Sequence, residues 1–295
     1  MKHGVERLEL SERRACRFAG QNRATQRKPK RLADDEVQLV KDMEELSRKH
    51  PRFGYRMICA LLRRDGWKVN RKRVQRLWTR EGMQVPRKFK KRPRLGNSSN
   101  SCFRHRAECM NHVWTYDFVF DRTEDGRKVR FLTLVDEYTR ECLKIHAARS
   151  ITSKDLIAII AERIKERGAP AFIRSDNGPE FIATGLRKWL ERIGVKTLFV
   201  APGSPWENGY IESFNSKLRN ELLNGEIFIS MAEAKHLAKT YENEYNENRP
   251  HSGLGYLTPA QFAASCGPAD FASLNRRAHS SPQTEQAPTS STRLS

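Results

Sequence analysis

The sequence predicts a chain of two unlike parts: an all-α helix-turn-helix region followed by a layered α/β domain. Three observations carry that prediction. Over residues 34–83 apolar side chains recur near the helical period of 3.6. From residue 113 the period drops to two, and strand-like segments then alternate with helix-like ones. The third observation is charge. The chain holds 55 Lys+Arg against 35 Asp+Glu, a formal net charge of +20. Residues 1–112 contribute 31 and 12 of these, residues 113–267 contribute 21 and 21, and residues 268–295 contribute 3 and 2. A cationic first third joined to a neutral body points to a nucleic-acid partner, bound with steep salt dependence.

Length and composition exclude other classes. A chain of 295 residues is expected to form about two domains. No run of about 18 apolar residues is present, so no membrane helix is predicted. The first 30 residues lack the apolar core of a secretory signal. Cys16, Cys59, Cys102, Cys109, Cys142 and Cys266 are scattered, which suits a reducing cytosol.

The expected parts are a basic arm over residues 1–32, a helix-turn-helix region over 33–85, a basic linker over 86–112, a layered α/β core over 113–267 and a disordered tail over 268–295. In the arm, a short helix is expected around Glu12–Phe18, and Pro29 makes the basic run 27–31 a linker. Val37, Leu39, Val40, Met43 and Leu46 mark one helix, ended by Pro51 and Gly54. A second helix, Arg56–Arg64, carries Ile58, Leu61 and Leu62, and Asp65-Gly66 is a turn. Asn70 is an N-cap and Gly82 a stop for a third helix. There Val74, Leu77 and Trp78 face inward, leaving Arg71, Lys72, Arg73, Gln75, Arg76 and Arg80 outside. Two short helices and a turn, the second helix cationic, describe a DNA-binding helix-turn-helix, with Arg71, Lys72, Arg73, Arg76 and Arg80 as its candidate contacts. In the linker, Cys102, His105, Cys109 and His112 are all possible zinc ligands, but their spacing matches no structural zinc motif.

In the core, Trp114, Tyr116, Phe118 and Phe120 alternate with Thr115, Asp117, Val119 and Asp121, which predicts a strand. Asp125-Gly126 is a hairpin turn, followed by strands Val129–Val135 and Cys142–Ala147. Thr152 and Asp155 open a helix that runs through Arg167 and closes at Gly168. A short strand Ala171–Ser175, a helix Glu180–Ile193 and a strand Val195–Val200 come next. Two further helices, Trp206–Leu223 and Met231–Asn246, complete the order βββαβαβαα.

Three carboxylates stand out by position. Asp117 lies mid-strand, where Asp is disfavoured and an unpaired buried carboxylate is expensive. Asp176 ends an apolar strand and begins Asp-Asn-Gly, and Glu212 sits on a helix after a Gly/Pro-rich loop. Asp121 and Asp136 remain alternatives for the strand position. Converging acids need their repulsion relieved, and Mg²⁺, a hard cation compatible with phosphate, does this. Two such ions about 4 Å apart activate an attacking oxygen and stabilise a leaving one. No Ser, Cys or His nucleophile is then required.

Asp117, Asp176 and Glu212, with 35 residues between the last two, resemble the D,D(35)E signature of transposases and retroviral integrases. The strings around them are more specific. Thr115 to Phe118 (TYDF), Ser175 to Phe181 (SDNGPEF) and Asn208 to Phe214 (NGYIESF) resemble the insertion-sequence-three family of bacterial transposases. So do His50 to Arg56 (HPRFGYR), Asn246 to Ser252 (NENRPHS) and Thr258-Pro259-Ala260. The resemblance covers about residues 10–265 and is to the second-reading-frame (OrfB-type) protein.

The resemblance implies an RNase H-like core with a mixed sheet. It makes Asp117, Asp176 and Glu212 the catalytic and metal-binding residues for two Mg²⁺, with Mn²⁺ as a substitute. It matches Arg219 to a basic residue seven positions after the glutamate, on the same helical face and placed to hold a phosphate. Asn208, four before Glu212, shares that face as a candidate contact to DNA or substrate water. The implied activity is cleavage at the ends of an insertion sequence and transfer of the 3′-OH into DNA, in the bacterial cytoplasm near the nucleoid. The implied partners are double-stranded DNA, further copies of the chain, and a first-reading-frame product or a frameshift fusion to it. A non-catalytic DNA-binding regulator, a decayed element product and a structure-specific nuclease of the same fold are the competing expectations.

Overall fold

The computed structural model describes residues 10–27, 34–85, 106–175, 184–199 and 208–267. The expectations for Asp176 and its loop, for Cys102 and His105, for the basic segment 87–94 and for the tail lie outside the described residues.

The N-terminal elements are helices. Helix α1 (Glu12–Phe18) opens on Ser11, whose hydroxyl accepts from the Arg14 amide. The five-residue α2 (Arg23–Arg27) was not expected from the pattern; Arg23 and Arg27 both reach Glu12, at 3.3 and 2.9 Å. Helices α3 (Glu36–Lys49), α4 (Tyr55–Arg64) and α5 (Arg71–Arg80) enclose one apolar cluster containing Leu39, Met43, Ile58, Leu61, Leu62, Val74, Leu77 and Trp78. Val37 does not join it and is 70% exposed. Two residues turn a helix by about 200°, so a face defined by Leu39 and Met43 excludes position 37. Asn70 caps α5 as expected, its side-chain oxygen accepting from the Lys72 amide at 3.0 Å. Gly82, at φ +68°, takes the left-handed conformation that ends the helix.

The second part is built on five strands. Strands β1 (Val113–Arg122), β2 (Lys128–Asp136) and β3 (Cys142–Ala148) form an antiparallel meander. The β1–β2 turn holds Gly126 at φ +78°. Helix α6 (Ser153–Arg167) carries the chain over the sheet to β4 (Phe172–Ser175), which lies parallel to β1. Helix α7 (Thr184–Arg192) then leads to β5 (Lys196–Phe199), parallel to β4. The strand order is β3-β2-β1-β4-β5. Helix α6 starts with the expected capping box, Thr152 and Asp155 satisfying each other's backbone amides.

Strand alternation divides the core into two layers. Trp114, Tyr116, Leu132 and Leu134 pack against Leu156 and Ile160 of α6 and Leu186 and Leu190 of α7. On the opposite face Val119, Phe131, Val135 and Ile145 pack under α8 (Gly209–Leu218) and α9 (Met231–Glu247). The segment expected as one helix through Leu223 changes after Leu218 into a π-helical turn, Arg219–Leu223. A last helix, α10 (Pro259–Ser265), was missed by periodicity because it is short. Its cap was visible: Thr258 and Gln261 form a capping box with Pro259 at the first turn.

Two buried charge arrangements hold the layers at the sheet's end. Asp136 is fully buried and accepts from the amides of Asn111, Tyr138 and Thr139 at 2.7, 2.7 and 3.1 Å. Burial raises its pKa above the usual carboxylate value, against the pull of those amides. Arg174 on β4 pairs with Glu137 at 2.9 Å, both side chains being almost inaccessible.

On the outer side of α8, Lys217 donates to His251 Nε2 at 3.0 Å. Burial, together with the charges of Lys217, Arg249 and Arg140, pushes the His251 pKa down from 6.5 to about 3. Burial pushes Lys217 down from 10.5 to about 8. Between pH 6.5 and 3 the unfolded chain takes up a proton at His251 that the folded chain refuses. Stability is therefore lost as pH falls through that window. A His251→Asn variant should lack this contribution. Its unfolding free energy from chemical denaturation should fall less than that of the wild type between pH 6.5 and 5, by about 1.5 kcal/mol.

Candidate active site

Asn208, Glu212, Asn215 and Arg219 are spaced four, three and four apart along α8 and the turn that follows it, and so share one side. That side meets β1 and β2. Asn208 is buried at the start of the helix, its Oδ1 accepting from the Thr115 hydroxyl at 3.0 Å. Asn215 is buried one turn past Glu212. Its Oδ1 accepts from the Thr133 hydroxyl at 2.9 Å, and its Nδ2 donates to Asp117 Oδ2 at 2.8 Å. Thr133 is the cross-strand partner of Asp117, and Thr115 precedes Asp117 by two on the same strand face. Two Asn–Thr pairs therefore fix how far α8 slides along the sheet.

Asp117 is half-buried and its Oδ1 also accepts from the Phe118 amide at 2.7 Å. Glu212 is exposed at the mouth of a cavity of about 460 Å³ that Asp117 helps to line. Asn215, Ser216, Arg219 and Asn220 complete its polar wall. The Arg219 guanidinium donates to the Phe120 carbonyl at 3.3 Å, which ties the end of α8 back to β1. An ionised Asp117 accepts only, so it must take the amide nitrogen of Asn215 and leave the amide oxygen for Thr133.

The structure thus brings Asp117, Glu212 and Arg219 to one cavity and separates Asp117 from its sequence rivals. Asp136 is spent on three backbone amides in the interior. Asp121 lies further along β1 with its carboxylate on the Arg122 amide at 2.8 Å. Asp176 is outside the described residues. Strand β4, which leads to it, pairs Arg174 with Thr115. Asn208 is not displayed to solvent but buried against Thr115, so its immediate contact is structural. Sequence reasoning missed Asn215 and Thr133. The signal for Asn215 was an amide three residues after Glu212, on the side that packs on the sheet.

The cations of α5 divide into two sets. Arg73 forks onto Asp35 at 3.0 and 2.5 Å, and holds that carboxyl below its ordinary pKa by hydrogen bonding. Arg76 and Arg80 both reach the buried Glu36, at 3.2 and 2.6 Å. Arg71 and Lys72, in the first turn, are exposed. Of the candidate zinc ligands, Cys109 and His112 are buried; His112 Nδ1 accepts from the Glu108 amide at 3.1 Å, and its ring meets Phe172 edge-on. Among the described residues, no three His, Cys, Asp or Glu side chains are placed to hold a metal. No described helix is long and apolar enough to cross a membrane.

Comparison with known proteins agrees with this layout. Residues 33–91 match an HTH-like domain, and residues 107–205 and 193–259 match two integrase core domain models. The chain is 36% identical over 259 residues to a protein of insertion element IS407 from Burkholderia multivorans, covering 88% of this chain and 92% of that one. It is 36% identical over 260 residues to a protein of insertion element IS476 from Xanthomonas euvesicatoria, with 88% and 74% covered. It is 28% identical over 244 residues to the Escherichia coli transposase InsD of insertion element IS2, with 77% and 79% covered. The HTLV-2 integrase catalytic core domain, solved with magnesium, has 19% identity and a TM-score of 0.44, with 54% of this chain and 99% of that one covered. With a helix-turn-helix unit ahead of an integrase core and relatives of that length and likeness, the chain belongs to the insertion-sequence-three-like family of transposase OrfB proteins.

Proposed function

We propose that this chain cuts DNA at the ends of its insertion sequence and joins the freed 3′-OH to a second phosphodiester. The observation that carries the proposal is Asp117 and Glu212 on one open cavity, with Asp117 aimed by Asn215 and a cation, Arg219, on the same wall. Asp176 is the third carboxylate of the proposal. It lies as far beyond Arg174 as Asp117 lies beyond Thr115, and Arg174 and Thr115 are register partners in parallel strands.

The donor set fits a hard divalent cation, because the acidic lining groups are carboxylates and, among the described residues, no sulfur or imidazole shares the wall. Asp117, Asp176 and Glu212 would hold Mg²⁺, with Mn²⁺ able to replace it. Once bound, a pair of such ions supplies activation of the attacking oxygen and stabilisation of the leaving one. The chain's own groups do the rest. Asn215 holds the Asp117 carboxylate in one orientation, so that no rotamer search is needed when DNA arrives. Arg219 offers guanidinium donors to a phosphate oxygen beside the carboxylates. Arg71 and Lys72 grip the duplex backbone through the exposed first turn of α5. Joining two ends requires further copies of the chain on DNA, and end recognition involves a first-reading-frame product or fusion.

Asp117→Asn, Asp176→Asn and Glu212→Gln should each abolish joining of an end-containing duplex in Mg²⁺ while the gel-shift affinity stays within twofold. Full strand transfer by any of the three would refute the assignment. Hydrolysis without a joined product in the wild type would favour the nuclease reading, and binding without cleavage would favour the regulator.

Asn215→Ala removes a hydrogen bond to a charged group, worth about 1.5–3 kcal/mol. The joining rate at saturating DNA should therefore fall about 10- to 100-fold. Arg71→Ala and Lys72→Ala should each reduce the slope of log affinity against log salt by about 1. Arg76→Ala, whose cation is shared with Glu36, should change that slope by much less.

A further inference from the structure

Among the described residues the helical unit meets the core around His50, Phe53 and Arg64, and a chain of contacts runs from there to the cavity. In the loop between α3 and α4, His50 and Phe53 stack at 4.5 Å with their rings 7° from parallel. Phe53 also lies beneath the Arg249 guanidinium, 5.6 Å from its ring centroid. The other aromatic neighbour of that guanidinium is Tyr245 of α9, also at 5.6 Å. Nearby, His50 is 3.9 Å from Glu244, and Arg64 donates to the Asn248 carbonyl at 3.3 Å. A cavity of about 270 Å³ lies between the loop and α9.

Arg249 does not stop at the interface. It forks onto Glu221, Nε at 2.8 Å and Nη2 at 2.6 Å, and the Tyr241 hydroxyl donates to the same carboxylate at 3.1 Å. The Arg249 and Glu221 side chains are only 9% and 14% exposed, so this pair is largely shielded from water. Glu221 is the middle residue of the π-helical turn Arg219–Leu223. Such a turn is rare and occurs mostly as a single turn, frequently at a functional site. Its closing bond runs from the Asn224 amide to the Arg219 carbonyl at 2.8 Å. The first two residues of the turn, Arg219 and Asn220, line the cavity that holds Asp117 and Glu212.

We propose that Arg249 is a positioning residue, through which seating of the Phe53 loop on the core holds the π-helical turn and thereby sets Arg219 and Asn220 in the active cavity. As a role in catalysis it rests on the joining activity proposed above; as a mechanical link between the two parts it does not. The bidentate fork onto Glu221 requires a guanidinium, because an ammonium is a point charge without a planar pair of donors. Lys at position 249 keeps the charge and loses the fork.

Phe53 belongs to the core of the helical unit, so Phe53→Leu is chosen to keep that core filled while removing the flat ring. Hydrogen exchange is followed on the full chain for wild type, Phe53→Leu and Arg249→Lys. Amides 219–224 should exchange at least tenfold faster in both variants, while the peptides of β1, β2 and α5 keep their protection. Unchanged protection of 219–224 in Phe53→Leu, or a uniform loss across the chain, overturns the link. Joining is then measured at saturating DNA. Each variant should join at least tenfold more slowly with its affinity for DNA within twofold of wild type. Combining Phe53→Leu with Arg219→Lys should be no slower than the slower single variant, because both act on one group. Multiplying effects would show that Phe53 acts elsewhere. If the wild type does not join DNA, the functional reading fails, and the exchange measurement still decides the link.

Discussion

The Asn215 side chain is the contact on which the rest of the site depends. It is buried between a helix and a sheet, where an unsatisfied amide would be costly, and it answers that constraint by spanning two strands at once. Thr133 of β2 takes the oxygen and Asp117 of β1 takes the nitrogen. Because those two residues are register partners, the amide reads the pairing of β1 with β2 as well as the height of α8 above them. A one-residue slip in that pairing would turn Asp117 to the other face of the sheet and leave the amide with nothing to bind. Strand register, helix docking and carboxylate orientation are thus one interaction.

Around that amide the core is conventional. The aromatic side of β1 is packed under α6 and α7, and the mixed polar and apolar side under α8 and α9. Apolar area supplies the adhesion, from Ile211, Phe214 and Leu218 on the helix and Val119, Phe131 and Val135 on the sheet. Apolar contact is not directional, however, and would tolerate sliding. The Asn208–Thr115 and Asn215–Thr133 pairs supply the direction.

Much of this was legible in the sequence, and the failures have physical reasons. Periodicity located every strand to within about two residues, because the sheet is buried on both faces and leaves little freedom in pattern. Caps placed α5 and α6, where Asn70 and Thr152 act locally. The break at the end of α8 into a π-helical turn was not legible, because Glu221 within the turn is bound by Arg249, 28 residues further along the chain. Choosing Asp117 over Asp136 needed coordinates for the same reason, since Asp136 differs only in the amides folded around it. The helical surface of α5 was read correctly as cationic, but which cations are engaged depended on Asp35 and Glu36, about forty positions upstream. Asn215 escaped because an amide in a helix is commonplace, and only its partners on the sheet distinguish it.

The acids at the head of α3 have one more consequence, for how the protein travels. Three of the five cations on α5 already have carboxylate partners, one of which, Glu36, is buried. Random duplex therefore meets a helix far less sticky than its composition advertises. On the proposed DNA-binding role of α5, residence on an arbitrary stretch of duplex would shorten accordingly, since non-specific adhesion is almost wholly electrostatic. If the chain acts at two insertion-sequence ends as proposed, a grip that lets go easily would serve its search, and Glu36 beneath α5 would supply that release.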